Sequence, residues 1–215
     1  MIKRITIFAR RDGLDRRAFS AHWSGPHRAI AAGMPNILGY RQNHALDAWT
    51  IAGEGLVIDG MAELWFADDV AMAAALASPA AAALPADELD FMRAITLCRI
   101  AEGLRPPAGQ CKLILLAGSG SRGASTAQLA DWLGACTDLD PRRIGIDRVL
   151  ATATREALPG AGKPDVIASL LFDDMTDAQD CAARIIKAAR SASPPFASAS
   201  LMLADVLTVV PPPCS

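Results

Sequence analysis

Residues 59–66 read DGMAELWF, and a second version of the same segment, DVIASLLF, occupies residues 165–172. Both follow the pattern D-x-x-A-x-L-x-F, and a pair of aspartates comes soon after each. A segment that recurs after about half of this 215-residue chain predicts two copies of one structural unit.

Other residues recur with nearly the same spacing. Two further pairs lie 109 and 107 positions apart, namely Trp23 with Trp132 and Arg41 with Arg148. We therefore predict two units, residues 1–102 and residues 110–210, joined at residues 103–109 by a segment rich in glycine and proline.

Each unit has the predicted order strand, helix, strand, strand, helix, strand, which is the ferredoxin-like pattern. In the first unit we predict strands near 2–10, 37–44, 58–66 and 94–101, a loop containing Trp49, and helices from Asp15 onwards and over 68–78. The Gly25-Pro26 pair is expected to interrupt the first helix. In the second unit we predict strands near 111–117, 144–153, 165–172 and 200–210, with helices after Ser125 and around Ile185.

Each antiparallel sheet has helices on one side, and its other side must also be buried. About 100 residues alone would bury too little surface. We therefore predict an α+β protein in which the two sheets face each other as an intramolecular, pseudo-dimeric barrel. The apolar residues assigned to the facing sides are Phe8, Met61, Trp65, Leu113, Leu115 and Ile167.

Composition excludes several classes of partner. The 21 basic and 23 acidic residues give a formal charge of −2, so we expect no nucleic acid partner. The longest apolar run, at residues 113–117, is far shorter than the roughly 20 residues that cross a bilayer, so we expect no membrane span. The N-terminus resembles a strand more than a signal peptide, and the five cysteines are widely spaced. We expect a cytoplasmic protein with reduced thiols.

The three histidines, His22, His27 and His44, all lie in the first unit. Residue alternation along the second strand puts Tyr40, Gln42 and His44 on one face and Arg41 and Asn43 on the other. The second unit has no histidine and carries Ser169 where the first has Glu63. We therefore expect one site per chain, in the first unit, with only an apolar wall from the second.

On the third strand, Met61, Glu63 and Trp65 share the face that we assign to the barrel interior. A carboxylate there must be paired or have a raised pKa. Glu63 beside a histidine and a tyrosine would suit proton transfer at neutral pH. The alternative is an ordinary salt bridge, to Arg41 or Arg4.

Four motifs together resemble the EthD-domain family. They are F-x-x-H-W-x-x-x-H at residues 19–27, A-G-M-P-x-I at 32–37, Y-x-x-N-H at 40–44 and D-G-x-A-E-L-W-F at 59–66. The second unit resembles a diverged EthD-like copy. The resemblance implies the dimeric α+β barrel fold, closed here within one chain.

The resemblance extends to cofactor-free methylmuconolactone isomerases and anthrone decarboxylases, and it implies that His27 transfers a proton and that Tyr40 assists. We predict His27, Tyr40, His44 and Glu63 as catalytic residues. The predicted substrate contacts are His22, Trp23, Asn43, Met61 and Trp65. We predict neither a metal nor a cofactor.

The sequence leaves three functions open. The first is an isomerase or lyase in which His27 moves a proton next to a carbonyl of a small oxygenated aromatic or lactone-like molecule. The second is a non-catalytic accessory protein that binds such a metabolite in an ether-degradation-like pathway. The third is haem handling, since haem-degrading enzymes share the barrel. Dimerisation through the outer surfaces is compatible with all three.

Overall fold

The computed structural model describes residues 1–101, 111–118, 125–140, 143–192 and 194–212. The predicted linker at 103–109 lies outside the described residues. The strands are β1 Ile2–Arg10, β2 Gly39–Ala52, β3 Gly60–Phe66, β4 Met92–Ile100, β5 Cys111–Gly118, β6 Ile144–Ala153, β7 Val166–Phe172 and β8 Ser198–Val210. The α-helices are α1 Arg16–His22, α2 Arg28–Ala32, α3 Asp69–Leu76, α4 Pro79–Phe91, α5 Thr126–Thr137 and α6 Met175–Ser191.

The strands form a closed antiparallel barrel in the order β1-β3-β2-β8-β5-β7-β6-β4, with β4 returning to β1. The strand pairs β2–β8 and β4–β6 join the two halves of the chain. The predicted α+β barrel, closed within one chain, is therefore confirmed. No single helix among the described residues is long and apolar enough to cross a bilayer, and only α3 and α4 taken together, bent by 62°, reach that length and composition.

Closure of the barrel explains where the predicted element boundaries were wrong. Trp49 does not lie in a loop, because β2 continues to Ala52 and pairs Trp49 with Leu201 of β8. The chain also does not leave the helical region at Pro79. It begins α4 there, since a proline in the first turn lacks only a hydrogen-bond donor that the helix does not use.

Both faces of the barrel wall are covered. Ile5, Ile7, Met61, Ile114 and Ile167 pack inside the barrel. Phe8 packs under the helices of the first half, and Leu113 and Leu115 pack under those of the second, so their assignment to the interior was wrong. Alternation along β1 explains the error, because Ile5 and Ile7 point inward and Phe8 must point outward.

A cluster of buried charges connects the two sheets inside the barrel. Lys3 Nζ lies 2.8 Å from Glu63 Oε1 and 2.6 Å from Asp147 Oδ2, and Lys112 Nζ contacts Glu63 Oε2. Lys3 and Glu63 belong to the first half of the chain, and Lys112 and Asp147 to the second. The ion pairs therefore span the interface between the halves.

Glu63 is fully buried. Burial by itself would raise the pKa of its carboxyl, but the ammonium groups of Lys112 and Lys3 outweigh burial and hold the pKa below its usual range. Glu63 thus forms a salt bridge, which was the alternative to a role in proton transfer. Its partners are two lysines and not Arg41 or Arg4.

We predict that Glu63→Gln lowers the free energy of unfolding at pH 7 by about 3 kcal/mol or more, because it takes the carboxylate partner from the buried ammonium of Lys112 and leaves Lys3 with Asp147 alone. The folded pKa of Glu63 lies below that of an unfolded glutamate, about 4.3. The stabilisation is therefore present above about pH 4.3 and declines as the pH falls further. Urea unfolding from pH 3 to 7 measures both effects.

The matched control is Asp12→Asn, which makes the same change of charge in the exposed Arg93–Asp12 pair. It should change the free energy of unfolding by less than about 1 kcal/mol. Equal effects of the two substitutions would show that the buried cluster does not hold the sheets together.

Candidate active site

A small cavity lies between the outer face of the first half's sheet and the helices that cover it. Its volume is about 50 Å³. Most of its wall is apolar, formed by Phe8, Ala31, Met34, Ala62, Leu64, Leu76, Leu84, Met92, Ile95 and Leu97. The polar side chains that line it are Arg4, Thr6, His27, Tyr40, Glu88 and Arg155. An apolar cavity with a few polar groups is typical of a small-molecule site.

His27 lines the cavity from a π-helical turn, Trp23–His27, that lies between α1 and α2. Pro26 has no backbone N–H, so it cannot form the hydrogen bond of a regular α-helix. The turn widens, and the Arg28 N–H reaches the Trp23 carbonyl five residues back. The predicted interruption at Gly25-Pro26 thus takes the form of a wider turn in a continuous helical segment.

The π-helical turn brings two histidines to one carboxylate. In a regular α-helix, side chains five residues apart point about 140° apart. Here His22 Nε2 lies 2.9 Å from Asp87 Oδ1, and His27 Nδ1 lies 2.6 Å from Asp87 Oδ2. Both rings also contact Phe91, with His22 stacked at a centroid distance of 4.6 Å.

The contact with Asp87 determines which nitrogen of His27 carries the proton. A carboxylate only accepts hydrogen bonds, so the proton of neutral His27 lies on Nδ1 and the lone pair on Nε2. Burial lowers the pKa of His27, and the Asp87 carboxylate opposes that effect only in part. His27 is therefore neutral at pH 7, and its Nε2 atom is a proton acceptor at the cavity.

Tyr40 supplies a proton donor to the same cavity. Its hydroxyl oxygen accepts a hydrogen bond of 2.7 Å from Gln42 Nε2, which leaves the hydroxyl hydrogen free to point elsewhere. Burial raises the pKa of Tyr40 to about 12, so the phenol stays protonated. A neutral phenol can stabilise negative charge that develops on a ligand oxygen.

His44 lies behind Tyr40 and does not line the cavity. Its Nε2 atom is 3.0 Å from Gln42 Oε1, and its Nδ1 atom is 2.6 Å from Ser20 Oγ. Burial lowers the pKa of His44 to about 4, so the ring is neutral. Gln42 also donates to the Trp23 carbonyl at 3.0 Å, which ties the π-helical turn to β2. His44 therefore orients Gln42, and Gln42 orients Tyr40.

Trp23 packs against Phe8 under the helices, whereas the predicted site residues of β3 and Asn43 of β2 lie on the opposite side of the sheet. Ala62 and Leu64 of β3 line the cavity, so Glu63 between them points into the barrel, as do Met61 and Trp65. Asn43 of β2 donates to Glu63 Oε2 at 3.1 Å. The expectation that His27, Tyr40 and Glu63 form one group is therefore wrong, because residue alternation separates them across the sheet.

Two charged residues at the cavity were missed by the sequence analysis. Glu88 of α4 accepts two hydrogen bonds from Arg155, from Nε at 2.8 Å and from a terminal nitrogen at 3.0 Å. Arg155 comes from the second half, so the expectation that this half gives only an apolar wall is wrong. The missed signal was the spacing of Leu84, Glu88 and Phe91, which puts Glu88 on the buried stripe of α4.

Asp87 was also missed, and it is adjacent in sequence to Glu88. Nothing in its spacing points to the histidines, which lie 65 and 60 positions away. Across the described ranges, no three His, Cys, Asp or Glu side chains are grouped so that they could hold a metal ion.

Comparison with known proteins supports the EthD resemblance. The sequence profile of the EthD domain matches residues 11–94, a segment that includes His27, Tyr40 and Asp87. Among curated protein sequences, none matches this chain at a significant level.

Solved structures share the fold at low sequence identity. An anthrone oxidase-like protein superposes with a TM-score of 0.56 and 10% identity, over 100% of this chain and 95% of that protein. A protein of Lactobacillus acidophilus NCFM that is proposed to be a monooxygenase gives 0.53 and 8%, over 97% and 95% of the two chains. A similar protein of Fusobacterium nucleatum gives 0.53 and 7%, over 96% and 92%.

At these identities the structural likeness shows the fold alone. The EthD domain profile matches residues 11–94, and the chain carries that segment in a barrel of the dimeric α+β type that is closed within one chain.

Proposed function

We propose that the cavity binds a small oxygenated aromatic or lactone-like molecule and that His27 transfers a proton at a carbon next to a carbonyl group. The observation that carries the proposal is the 2.6 Å contact of His27 with Asp87, which leaves Nε2 as the free nitrogen of a neutral imidazole at the cavity. This is the arrangement that a general base requires.

The reaction is an isomerisation by proton transfer. His27 Nε2 takes a proton from the carbon next to the carbonyl, and the electron pair of the broken C–H bond forms an enolate. The Tyr40 hydroxyl donates a hydrogen bond to the enolate oxygen. In a ligand with a double bond next to the reacting carbon, the enolate is a conjugated dienolate, and the imidazolium, which Asp87 stabilises, returns its proton to the γ carbon of that dienolate. The step consumes no oxidant and no second substrate.

The size of the cavity limits the ligand. About 50 Å³ holds water but not an aromatic ring, so the apolar side chains at the rim must move when a ligand binds. Leu76 at the end of α3 is 38% exposed and can move without opening the core. Haem handling gains no support here, since a haem macrocycle is far larger than this cavity.

The second candidate is an accessory protein that holds the same ligand without turning it over. It is favoured by the wall of the cavity, which consists mainly of apolar side chains that bind a ring without contributing chemistry. The two candidates share the cavity and differ only in whether His27 exchanges a proton with the ligand.

We predict that His27→Gln lowers the rate of α-proton exchange by roughly 100-fold or more, because glutamine fills a similar volume and forms hydrogen bonds but is not a base. The measurement is deuterium incorporation into a panel of aryl ketones and lactones in D₂O, followed by NMR. Ligand affinity should be retained.

His22→Gln is the matched control, because His22 bonds to the same carboxylate but does not line the cavity. It should change the exchange rate much less than His27→Gln does. If the wild-type protein binds these ligands without exchange, the accessory role is correct and the catalytic one is wrong.

We predict that Asp87→Asn changes the pH dependence of exchange. The Asp87 carboxylate raises the pKa of His27 against burial, so removing its charge lowers that pKa further. The rate on the plateau near neutral pH should fall, because a base of lower pKa is weaker, and the acidic limb of the pH profile should move to lower pH. A limb that moves to higher pH, or does not move, would show that Asp87 does not act on the titrating base.

A further inference from the structure

An outer cleft adjoins the cavity at the seam where β4 meets β6. Its volume is about 170 Å³, and its walls come mainly from Met72, Leu97, Cys98 and residues 151–153. The cleft and the cavity share two lining residues, Arg4 and Leu97. Arg4 therefore lies between the cleft and the cavity.

Arg4 differs from the other charged groups of the cavity because it has no partner. Glu88 is paired with Arg155, and His27 with Asp87. Within the described part of the chain, Arg4 forms neither a hydrogen bond nor an ion pair, although it is partly buried. Burial and the neighbouring Arg155 lower the pKa of Arg4, and the Glu88 carboxylate opposes them only in part. An arginine stays charged in proteins nonetheless.

We propose that Arg4 binds the carboxylate of a small organic anion and thereby selects an acid as the ligand of the cavity. A guanidinium and a carboxylate are both planar, and they pair through two parallel hydrogen bonds. Such a ligand compensates the charge of Arg4, whereas a neutral ketone or lactone leaves it unpaired.

The cleft favours a carboxylate over a phosphate. A phosphate group carries more charge and usually needs several donors. The cleft offers few beyond Arg4, since Arg99 is already paired with Asp69 at 3.3 Å and the remaining walls are mostly apolar. One planar anion with an apolar body fits these surroundings.

The direction of β1 sets the length of the ligand. Arg4, Thr6 and Phe8 are alternate residues on its outer face, and all three line the cavity. The four steps along the strand from Arg4 to Phe8 span roughly 13 Å. A carboxylate at Arg4, a short chain and one ring would extend along β1 beneath the helices. That the reacting carbon then lies at His27 rests on the proposed function, but carboxylate binding at Arg4 does not.

The test compares 3-phenylpropionate with 3-phenylpropanamide, which have nearly the same shape and differ in charge. Calorimetry should show that the wild-type protein binds the acid about 10- to 100-fold more tightly, the range expected for hydrogen bonds to a charged group. Arg4→Gln should abolish that preference and leave the affinity for the amide within about twofold.

The control is Arg93→Gln, which makes the same change of net charge. Arg93 is paired with Asp12 and lines neither the cleft nor the cavity. It should leave the preference intact. Arg4→Met provides a second variant, and because Arg4 has no partner it should melt no lower than the wild-type protein. His27→Gln should keep the preference for the acid. A wild-type protein that prefers the acid but exchanges no proton would contradict only the proposed function.

Three results would overturn the role of Arg4. They are a wild-type protein that binds no 3-phenylpropionate or does not prefer it, an Arg4→Gln variant that keeps the preference, and a large loss of melting temperature in both Arg4 variants. The last result would assign Arg4 to the stability of the fold.

Discussion

The strands at the middle of each half of this barrel have to bury both of their faces. A closed sheet has an inside that no solvent reaches, and helices cover much of its outside, so the residues of β3 and of β7 are buried along their whole length. Alternation then assigns each side chain to the inside or to the helix layer. Where a polar side chain falls on either face, the fold has to provide it with a partner.

The inner and outer faces of the barrel wall meet this requirement in different ways. Polar groups on the inner face stabilise the fold, and those on the outer face form the candidate site. Inside, Glu63 meets the ammonium groups of Lys3 and Lys112, which come from opposite halves of the chain. These buried ion pairs connect the two halves of the chain. Outside, the polar groups line a cavity, where a ligand can pair with the charge that the protein leaves unpaired.

The cavity depends on both halves although its histidines come from one. The first half supplies the π-helical turn and Asp87, which together fix the tautomer of His27. The second half supplies Arg155, which neutralises Glu88 and leaves Arg4 as the unpaired charge at the junction of cavity and cleft. Closure of the barrel at β4–β6 brings Arg155 there.

The sequence alone determined the α+β barrel, the order of its strands within each half and the importance of the segment around His27. These follow from local signals, namely alternation, the helix cap at Asp15 and the Gly25-Pro26 pair, together with the recurring segment at 59–66 and 165–172. It also placed Tyr40 and Gln42 on one face and Asn43 on the other. Only the tertiary structure decided which faces of β1, β2 and β5 meet the helices, and with it the separation of Glu63 from His27. Only the structure joined Asp87 to the histidines and Arg155 to Glu88, because residues more than 50 positions apart meet through the packing of whole elements, which no local pattern encodes.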